Sequence, residues 1–197
     1  MDIRAFIEEL SHSRYGDRLV HIAHLPPRAP RHSDLNPPLA APLPEMLRRQ
    51  GVERLYTHQA DAIRAARAGH DVIVSTGTAS GKTLCYILPA LEALAANPKA
   101  RALFVYPTKA LAQDQLRALR ELLGRGLPRL VAATYDGDTP VGARSRLRRA
   151  ARILQTCSTT RCYRTTASGL RSWPICATWC STRHTSTAAS LARTWQP

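Results

Sequence analysis

The sequence predicts an α/β fold in which helices cover both faces of a parallel sheet. From position 71 onward, short apolar segments alternate with longer amphipathic ones, which is typical of parallel strands connected by helices. A run of small residues ending in lysine and threonine lies between the first such strand and its helix. The predicted strands cover 72–74, 102–106, 130–134 and the start of a fourth at 152–154, and the helices between them cover 82–96, 109–123 and 139–150.

Helices and an extended arm are predicted before the sheet. Residues 1–25 favour one or two short helices, and the segment from Pro26 to Pro44 holds seven of the fourteen prolines, which favours an extended arm. A short helix with a glycine stop is predicted at 44–51, and an amphipathic helix at 57–68 is expected to begin at a capping threonine. The chain is thus divided into 1–44 (helices and arm), 45–154 (the α/β lobe) and 155–197 (a tail).

Composition and charge restrict the class of protein. Hydrophobic residues make up 44% of the 197 positions, and no apolar run approaches the ~20 residues that a membrane span needs, so we expect no membrane partner. The amino terminus lacks the apolar block of a signal peptide, which favours a cytoplasmic protein. The formal net charge is +14, and ten arginines follow the last acidic residue, Asp138. This balance favours contact with phosphate backbones, although solvated surface arginine explains the same charge.

The strongest pattern is the segment 75–83, Ser-Thr-Gly-Thr-Ala-Ser-Gly-Lys-Thr. It follows a predicted strand and begins a predicted helix, the context that a phosphate-binding loop requires. Lys82 supplies positive charge to the β- and γ-phosphates, and the Thr83 hydroxyl ligates Mg²⁺, which makes these two the catalytic candidates. A turn of small residues that binds nothing is the alternative, and the flanking strand and helix disfavour it. The predicted nucleotide-binding residues here are Thr76, Gly77, Thr78, Ala79, Ser80, Gly81, Lys82 and Thr83.

Three further segments narrow this nucleotide site. Leu-Tyr-Thr-His-Gln occupies 55–59, Tyr-Pro-Thr-Lys-Ala-Leu-Ala-Gln-Asp-Gln occupies 106–115, and Tyr-Asp-Gly-Asp-Thr occupies 135–139. In order and spacing, the first two and the loop resemble the glutamine motif, motif Ia and motif I of superfamily 2 helicases of the DEAD/DEAH-box type. The third resembles one branch, the bacterial and fungal RecQ-like repair helicases that end in a cysteine-bearing domain. The resemblance covers roughly residues 43–154 and implies a truncated RecA-like lobe of the P-loop NTPase fold.

The resemblance also implies a role for each matching residue, with ATP and Mg²⁺ as cofactors. Gln59 pairs with the adenine edge through its amide, and Tyr56 belongs to the same ATP-binding motif. Thr108 and Lys109 contact the phosphate backbone of one DNA strand. Taken singly, Gln59 is also explained as a helix-surface amide and Lys109 as a solvated helix start, and an ordinary turn explains 136–138. The implied DNA-binding residues are Pro107, Thr108, Lys109, Gln113, Asp136, Gly137 and Asp138.

The implied protein is an ATP-dependent DNA helicase or translocase that acts in DNA repair. Its partner would be single-stranded or partially duplex DNA, with 3′ to 5′ polarity, in the cytoplasm at the nucleoid. Two alternatives stay open: another P-loop NTPase such as a small-molecule kinase, and a non-enzymatic basic nucleic-acid-binding fragment. The family's Asp-Glu-Ala-His segment, whose carboxylates hold magnesium and activate water, is absent from this sequence, so we expect the chain itself to be inactive.

The tail from residue 155 differs in composition from the rest of the chain. It has no carboxylate and contains all three tryptophans and four of the five cysteines. A zinc site is one explanation, but the spacing of these cysteines fits no common zinc ribbon, so we expect no zinc. The cysteines in question are Cys157, Cys162, Cys176 and Cys180. The scattered histidines also lack metal spacing and receive no role: His12, His21, His24, His32 and His70.

A shifted reading frame explains this tail better than zinc. When the third base of each codon is read with the first two of the next, positions 154–167 can encode Pro-Asp-Met-Leu and positions 173–187 can encode Asp-Glu-Ala-His. Because tryptophan has a single codon, Trp173, Trp179 and Trp195 fix their shifted residues as Ala, Val and Ala, in agreement with the family pattern. We therefore interpret 155–197 as a non-native frame without evolved function and expect it to be disordered.

Overall fold

The computed structural model describes residues 2–13, 16–24, 26, 29–77, 80–124 and 126–157, together with the backbone of 175–181 and 187–192. Contacts divide the chain into two units, Met1–Pro30 and Arg31–Pro197. The first unit contains helix α1, Ile3–His12, and a short 3₁₀ helix, Gly16–Arg18. The Asp2 carboxylate accepts a hydrogen bond from the N–H of Arg4 and thereby caps α1, none of whose residues is buried.

The second unit alternates helices and strands, as the sequence predicts. In the part of the chain that the structure describes, no helix is long and apolar enough to cross a membrane. Its helices are α2 (Leu43–Arg49), α3 (Thr57–Arg67), α4 (Lys82–Ala96), α5 (Lys109–Leu123) and α6 (Val141–Ala150). Its strands are β1 (Val72–Thr76), β2 (Ala102–Tyr106), β3 (Ala132–Thr134), β4 (Ile153–Cys157), β5 (Ile175–Ser181) and β6 (Thr187–Ala192).

The strands form one six-stranded sheet in the order β1-β6-β5-β2-β4-β3. Strand β2 pairs in parallel with β4 and β5, and β3 pairs in parallel with β4. Strand β6 runs antiparallel to both β5 and β1, so β1 points in the same direction as β2. The carboxyl ends of β1, β2 and β3 therefore lie at one edge of the sheet, where parallel α/β folds bind ligands.

The core lies between the sheet and the helices. All five residues of β2 are buried, and their apolar side chains occur without alternation because both faces of the strand are covered. Helix α5 buries one stripe, Ala112, Leu116, Leu119 and Leu123, whose spacing of three and four residues places them on one face. This rigid layer fixes the loops at the carboxyl edge.

Several element boundaries differ from the sequence predictions, and at some of them a named contact explains the difference. Thr57 is the first residue of α3 rather than its cap, because Tyr56 occupies the N-cap and the Thr57 hydroxyl donates to the carbonyl of Arg31 at 3.2 Å. Strand β3 begins at Ala132, and α6 begins at Val141 because the Thr139 hydroxyl is used in the preceding turn.

Residues 31–44 belong to the second unit, since the N–H groups of Ser33 and Thr57 bond to the carbonyls of Leu55 and Arg31 at 3.0 Å.

The segment interpreted as a non-native tail includes the end of β4 and the positions of strands β5 and β6. The remaining tail positions, 158–174, 182–186 and 193–197, lie outside the described residues. Gln155 and Thr156 are fully buried in β4, and their side-chain polar atoms have no hydrogen-bond partner among the residues that the structure describes. Such burial costs free energy, so the sequence of β4 suits its position well only as far as Leu154. Of the cysteines considered for zinc, only Cys157 has a described side chain, and it is buried.

Candidate nucleotide-binding site

The predicted phosphate loop connects the carboxyl end of β1 to the first turn of α4. Gly81 precedes α4 with a φ of 73°, a left-handed conformation that favours glycine. A Cβ at this position would lie 2.5 Å from Nε2 of Gln59, so a larger residue would displace the amide of Gln59 from the loop. Thr78 and Ala79, predicted to bind nucleotide, lie outside the described residues.

The ammonium group of Lys82 lies inside this loop. Its Nζ donates to the carbonyl of Thr76 at 2.9 Å, to the carbonyl of Gly77, and to Oγ of Ser80 at 3.4 Å. The residue is only 8% exposed, and the hydroxyls of Thr76 and Ser80 bond to each other at 2.6 Å. Loop oxygens thus hold the cation at the place where the phosphates of a nucleotide would need it, and a polyphosphate would replace these oxygens.

Gln59 connects helix α3 to the loop. Its Oε1 accepts from the N–H of Tyr56 at 2.9 Å, its Nε2 donates to the carbonyl of Gly81 at 2.9 Å, and the residue is 2% exposed. Both ends of the amide predicted to read adenine are therefore bonded to backbone in this structure. Each end retains one further hydrogen-bonding position, a second N–H on Nε2 and a second lone pair on Oε1, through which it could pair with an adenine edge.

His58, which the sequence argument left without a role, makes a parallel connection. Its Nε2 lies 2.9 Å from the carbonyl oxygen of Ser80, one residue before the carbonyl that Gln59 binds. Two adjacent side chains of α3 thus hold two adjacent carbonyls of the loop. The only sequence signal for a role of His58 was its position next to Gln59. The contact itself joins residues 22 positions apart, and such a contact leaves no local pattern in the sequence.

Thr83, the predicted magnesium ligand, is the second residue of α4 and is half-buried. One turn further along α4, burial raises the pKa of the Tyr86 hydroxyl, which therefore stays protonated. In the described part of the chain no group of three metal-ligating side chains surrounds Thr83. One hydroxyl is nevertheless sufficient for a magnesium ion that keeps its waters and binds mainly to phosphate oxygens, so the residue fits this cofactor.

Cys85 lies behind the loop and is fully buried. Burial raises the pKa of its thiol to about 11, so the group remains neutral at physiological pH. It does not supply a nucleophile to this site.

The predicted DNA-binding residues lie at the same edge, after β2 and β3. The Thr108 hydroxyl accepts from the N–H of Leu111 at 3.2 Å and caps α5. Lys109 follows, and its Nζ lies 2.6 Å from Oδ2 of Asp138, with the two side chains 40% and 76% exposed. Both residues were predicted to contact DNA, yet here they contact each other, so a DNA phosphate would compete with Asp138 for the ammonium group.

The turn after β3 is built by Asp136, which is 7% exposed. Its Oδ1 accepts from the N–H of Asp138 at 3.0 Å and from the Thr139 hydroxyl at 3.3 Å, and its own N–H donates to Thr139 Oγ1 at 2.9 Å. The carbonyl of Gly137 accepts from Arg144 at 3.3 Å. Asp136 therefore shapes the turn that presents Asp138, whereas Pro107 is half-buried and Gln113 is exposed one helical turn after Lys109.

A comparison of this sequence with known protein families supports the same interpretation of this edge of the sheet. The sequence profile of DEAD/DEAH box helicases matches residues 56–166. The chain belongs to this family. The matched range includes the phosphate loop and extends beyond residue 154, the last residue before the predicted tail.

Individual relatives support the same assignment. The chain is 39% identical over 158 residues to the ATP-dependent helicase HRQ1 of Saccharomyces cerevisiae, covering 78% of this chain and 14% of that protein. It is 35% identical over 156 residues to the uncharacterized ATP-dependent helicase YprA of Bacillus subtilis, covering 79% and 21%. The crystal structure of the DUF1998 helicase MrfA bound to DNA superposes with a TM-score of 0.67 at 34% identity, covering 80% and 22%. The fold is thus that of a RecA-like helicase lobe, and the chain spans between 14% and 22% of the length of these proteins.

Proposed function

We propose that this chain carries the ATP-binding part of an ATP-dependent DNA helicase or translocase of the RecQ-like repair branch. The observation that carries the proposal is the Lys82 ammonium group, which three loop oxygens hold inside a loop that Gln59 and His58 attach to α3. Membership of the helicase family supports it, and so does MrfA, whose structures are described as bound to DNA and to DNA with AMPPNP.

In this proposal the phosphates of ATP bind Lys82 and the N–H groups of the loop, and Gln59 contacts the adenine edge. Magnesium, held by Thr83 and the phosphates, would neutralise charge on the β- and γ-phosphates. The described residues bind and orient the nucleotide. Lys82 provides the positive charge, and the side chains of His58 and Gln59, which form a clamp between α3 and the loop, fix the loop backbone. A kinase with the same loop would bind ATP equally well, so DNA binding that increases with nucleotide would favour the helicase over the kinase.

The DNA-binding part of the proposal concerns the adjacent carboxyl ends of β2 and β3. Lys109 contacts a phosphate of single-stranded or partially duplex DNA, with Thr108 fixing the start of its helix and exposed Gln113 on the same helical face. A basic, non-enzymatic DNA-binding role has support of its own, because α6 contains four arginines and no acidic residue: Arg144, Arg146, Arg148 and Arg149. Cytoplasmic, nucleoid-associated localisation and 3′ to 5′ movement belong to the same proposal.

We further propose that the chain does not turn over ATP at the rate of a helicase. No carboxylate follows Asp138 in the sequence, so the Asp-Glu pair that holds magnesium and activates water is missing. Measurement of ATP hydrolysis by the purified chain with saturating single-stranded DNA tests this directly. Turnover of several molecules per second would contradict it, and weak binding without turnover is the expected result.

The shifted reading frame remains our explanation for the missing segment. Gln155 and Thr156 support it, because these buried polar residues follow immediately after Leu154 and their side chains have no hydrogen-bond partner in the described part of the chain. The explanation requires that the codon of Thr156 ends in adenine and that the codons of Ser181, Thr182 and Arg183 end in guanine. Sequencing the gene tests it: any other base at these positions contradicts the proposal, as does an early stop codon in the restored frame.

A further inference from the structure

A cavity of about 580 Å³ lies between helix α5 and the end of strand β3, within the range of small-ligand sites. Its wall is formed by one residue of β3 and five of α5: Thr134, Gln113, Leu116, Arg117, Arg120 and Glu121. Along α5, Gln113, Arg117 and Arg120 continue at intervals of three or four residues the row that begins with Lys109. A DNA strand that contacts Lys109 can therefore continue along this row into the cavity.

The guanidinium group of Arg120 is fixed at the wall of this cavity. Its Nη2 donates to the carbonyl of Ala132 at 3.1 Å, and β3, to which Ala132 belongs, is an edge strand of the sheet. Covering an edge strand explains this one contact. The remaining donors and the plane of the group make no other hydrogen bond among the described residues. A planar cation held in one place is a surface on which a nucleic acid base stacks.

The other side chains of the wall favour a base over a phosphate group. Leu116 is only 7% exposed and adds apolar surface, which a phosphate does not use. The carboxylate of Glu121 would repel a phosphate, whereas it accepts a hydrogen bond from the exocyclic amino group of cytosine. The amide of Gln113 both donates and accepts, as the edge of a base requires. The wall thus has groups for the face of a base and groups for its edge.

Arg117 supplies a positive charge for the phosphates on either side of such a base. Its Nη1 lies 3.6 Å from Oδ1 of Asp114, and the two side chains are 75% and 65% exposed. An ion pair this long and this exposed contributes little free energy, so a DNA phosphate can displace the carboxylate.

We propose that this cavity binds one unstacked base of single-stranded DNA, with a preference for a base that carries an exocyclic amino group, such as cytosine. The base stacks on the guanidinium group of Arg120, and Glu121 accepts a hydrogen bond from the amino group. The inference rests on the proposed DNA-binding function. It adds contacts by Arg120 and Glu121, which lie outside the segments 106–115 and 135–139 that resemble helicase motifs.

Fluorescence anisotropy of the full chain with three labelled strands of equal length tests the proposal. The strands are oligo(dC), oligo(dT), which has a carbonyl where cytosine has the amino group, and an abasic strand with the same phosphates. The unaltered chain should bind oligo(dC) about three- to tenfold more tightly than oligo(dT). It should bind the abasic strand more weakly than either, because that strand has no base to stack.

Two variants separate the stacking surface from the charge. Arg120→Lys keeps the charge and loses the plane, so it should weaken binding of oligo(dC) and oligo(dT) about fivefold and leave the abasic strand unchanged. Glu121→Gln should reduce the preference for oligo(dC) over oligo(dT). Arg49→Lys is the matched control, since Arg49 is an exposed arginine of α2 that pairs with Glu45 at 3.1 Å, and it should bind all three strands as the unaltered chain does.

An equal loss for all three strands in Arg120→Lys would overturn the inference, because the residue would then act only on the phosphates. Equal affinity of the unaltered chain for oligo(dC) and the abasic strand would also overturn it and would leave the proposed DNA binding intact, and this result needs no variant. Equal affinity for oligo(dC) and oligo(dT) would overturn the preference for an amino group. Failure to bind any of the strands would contradict the proposed DNA-binding function itself, and this inference with it.

Discussion

The two sides of the carboxyl edge hold their lysines in different ways. Lys82 is 8% exposed and bonds to backbone and hydroxyl oxygens of its own loop, whereas the side chain of Lys109 is 40% exposed and pairs with the carboxylate of Asp138. Backbone oxygens cannot titrate or move far, so the nucleotide side is organised before its ligand arrives. The other side depends on an exposed ion pair that water and salt screen. Under the proposed function, nucleotide binding would be fixed by the fold and DNA binding would be adjustable by surface charge.

The largest effect is expected from Lys82→Ala. It removes a buried cation that would make charge-assisted bonds to two phosphates, so ATP affinity should fall at least about 100-fold in calorimetric titration. Lys99→Ala is the matched control, since Lys99 is an exposed lysine on the loop after α4 and should leave ATP affinity unchanged. ATP binding by Lys82→Ala within about tenfold of the unaltered chain would contradict the assignment.

Gln59→Ala tests the clamp between α3 and the loop. It leaves the N–H of Tyr56 and the carbonyl of Gly81 without their partner, which should lower the free energy of unfolding by about 1 to 3 kcal/mol. Gln113→Ala removes the same side chain from an exposed position and should change stability by less than about 0.5 kcal/mol. Denaturant titration measures both, and equal stability of the two variants would show that the buried amide contributes nothing.

Lys109→Ala should affect DNA and not the fold. If its ammonium group neutralises one phosphate, the slope of log affinity against log salt for single-stranded DNA should decrease in magnitude by about 0.7. Fluorescence anisotropy at several salt concentrations gives this slope, with Lys99→Ala again as the control. An unchanged slope would mean that Lys109 contacts no phosphate.

The smallest effect is expected from Asp138→Asn, and it is a gain. The substitution removes a negative charge that would repel the DNA phosphates, and it leaves the ammonium group of Lys109 available to them. Affinity for single-stranded DNA should therefore rise about two- to fivefold, which corresponds to the free energy of an exposed ion pair. Asp61→Asn is a close control, because Asp61 pairs with Arg64 at the same 2.6 Å distance, with side chains 66% and 41% exposed. A decrease in DNA affinity for Asp138→Asn would show instead that Asp138 itself contributes to binding.

Local pattern predicted much of the fold. The bounds of α4, β2 and α5 agree with the sequence prediction to the residue, because each has an uninterrupted apolar pattern and α5 begins at a threonine cap. Strand β3 is shorter than predicted, because the apolar pattern at Leu130 and Val131 extends beyond the paired residues. The start of α6 was misplaced because Thr139 serves the turn rather than the helix.

The positions of the candidate site residues in the fold were predictable from the sequence, whereas their hydrogen-bond and ion-pair partners were not. The loop pattern places Lys82 and Thr83 correctly, since strand, loop and helix follow one another along the chain. The contacts of Gln59 with Gly81 and of Lys109 with Asp138 join residues 22 and 29 positions apart, and such pairs leave no periodic signal. His32 shows the same limit: metal spacing was the only pattern sought for it, and its neighbours come from the pairing of two distant backbone segments.

The central claim is that one edge of this lobe carries two separate sites, one for ATP and one for DNA. The direct test is the crossed measurement: single-stranded DNA affinity of Lys82→Ala without nucleotide, and ATP affinity of Lys109→Ala without DNA, with folding checked by circular dichroism. Each should lie within about twofold of the unaltered chain, since neither lysine contacts the other ligand. Loss of both ligands in both variants, with the fold preserved, would contradict the claim.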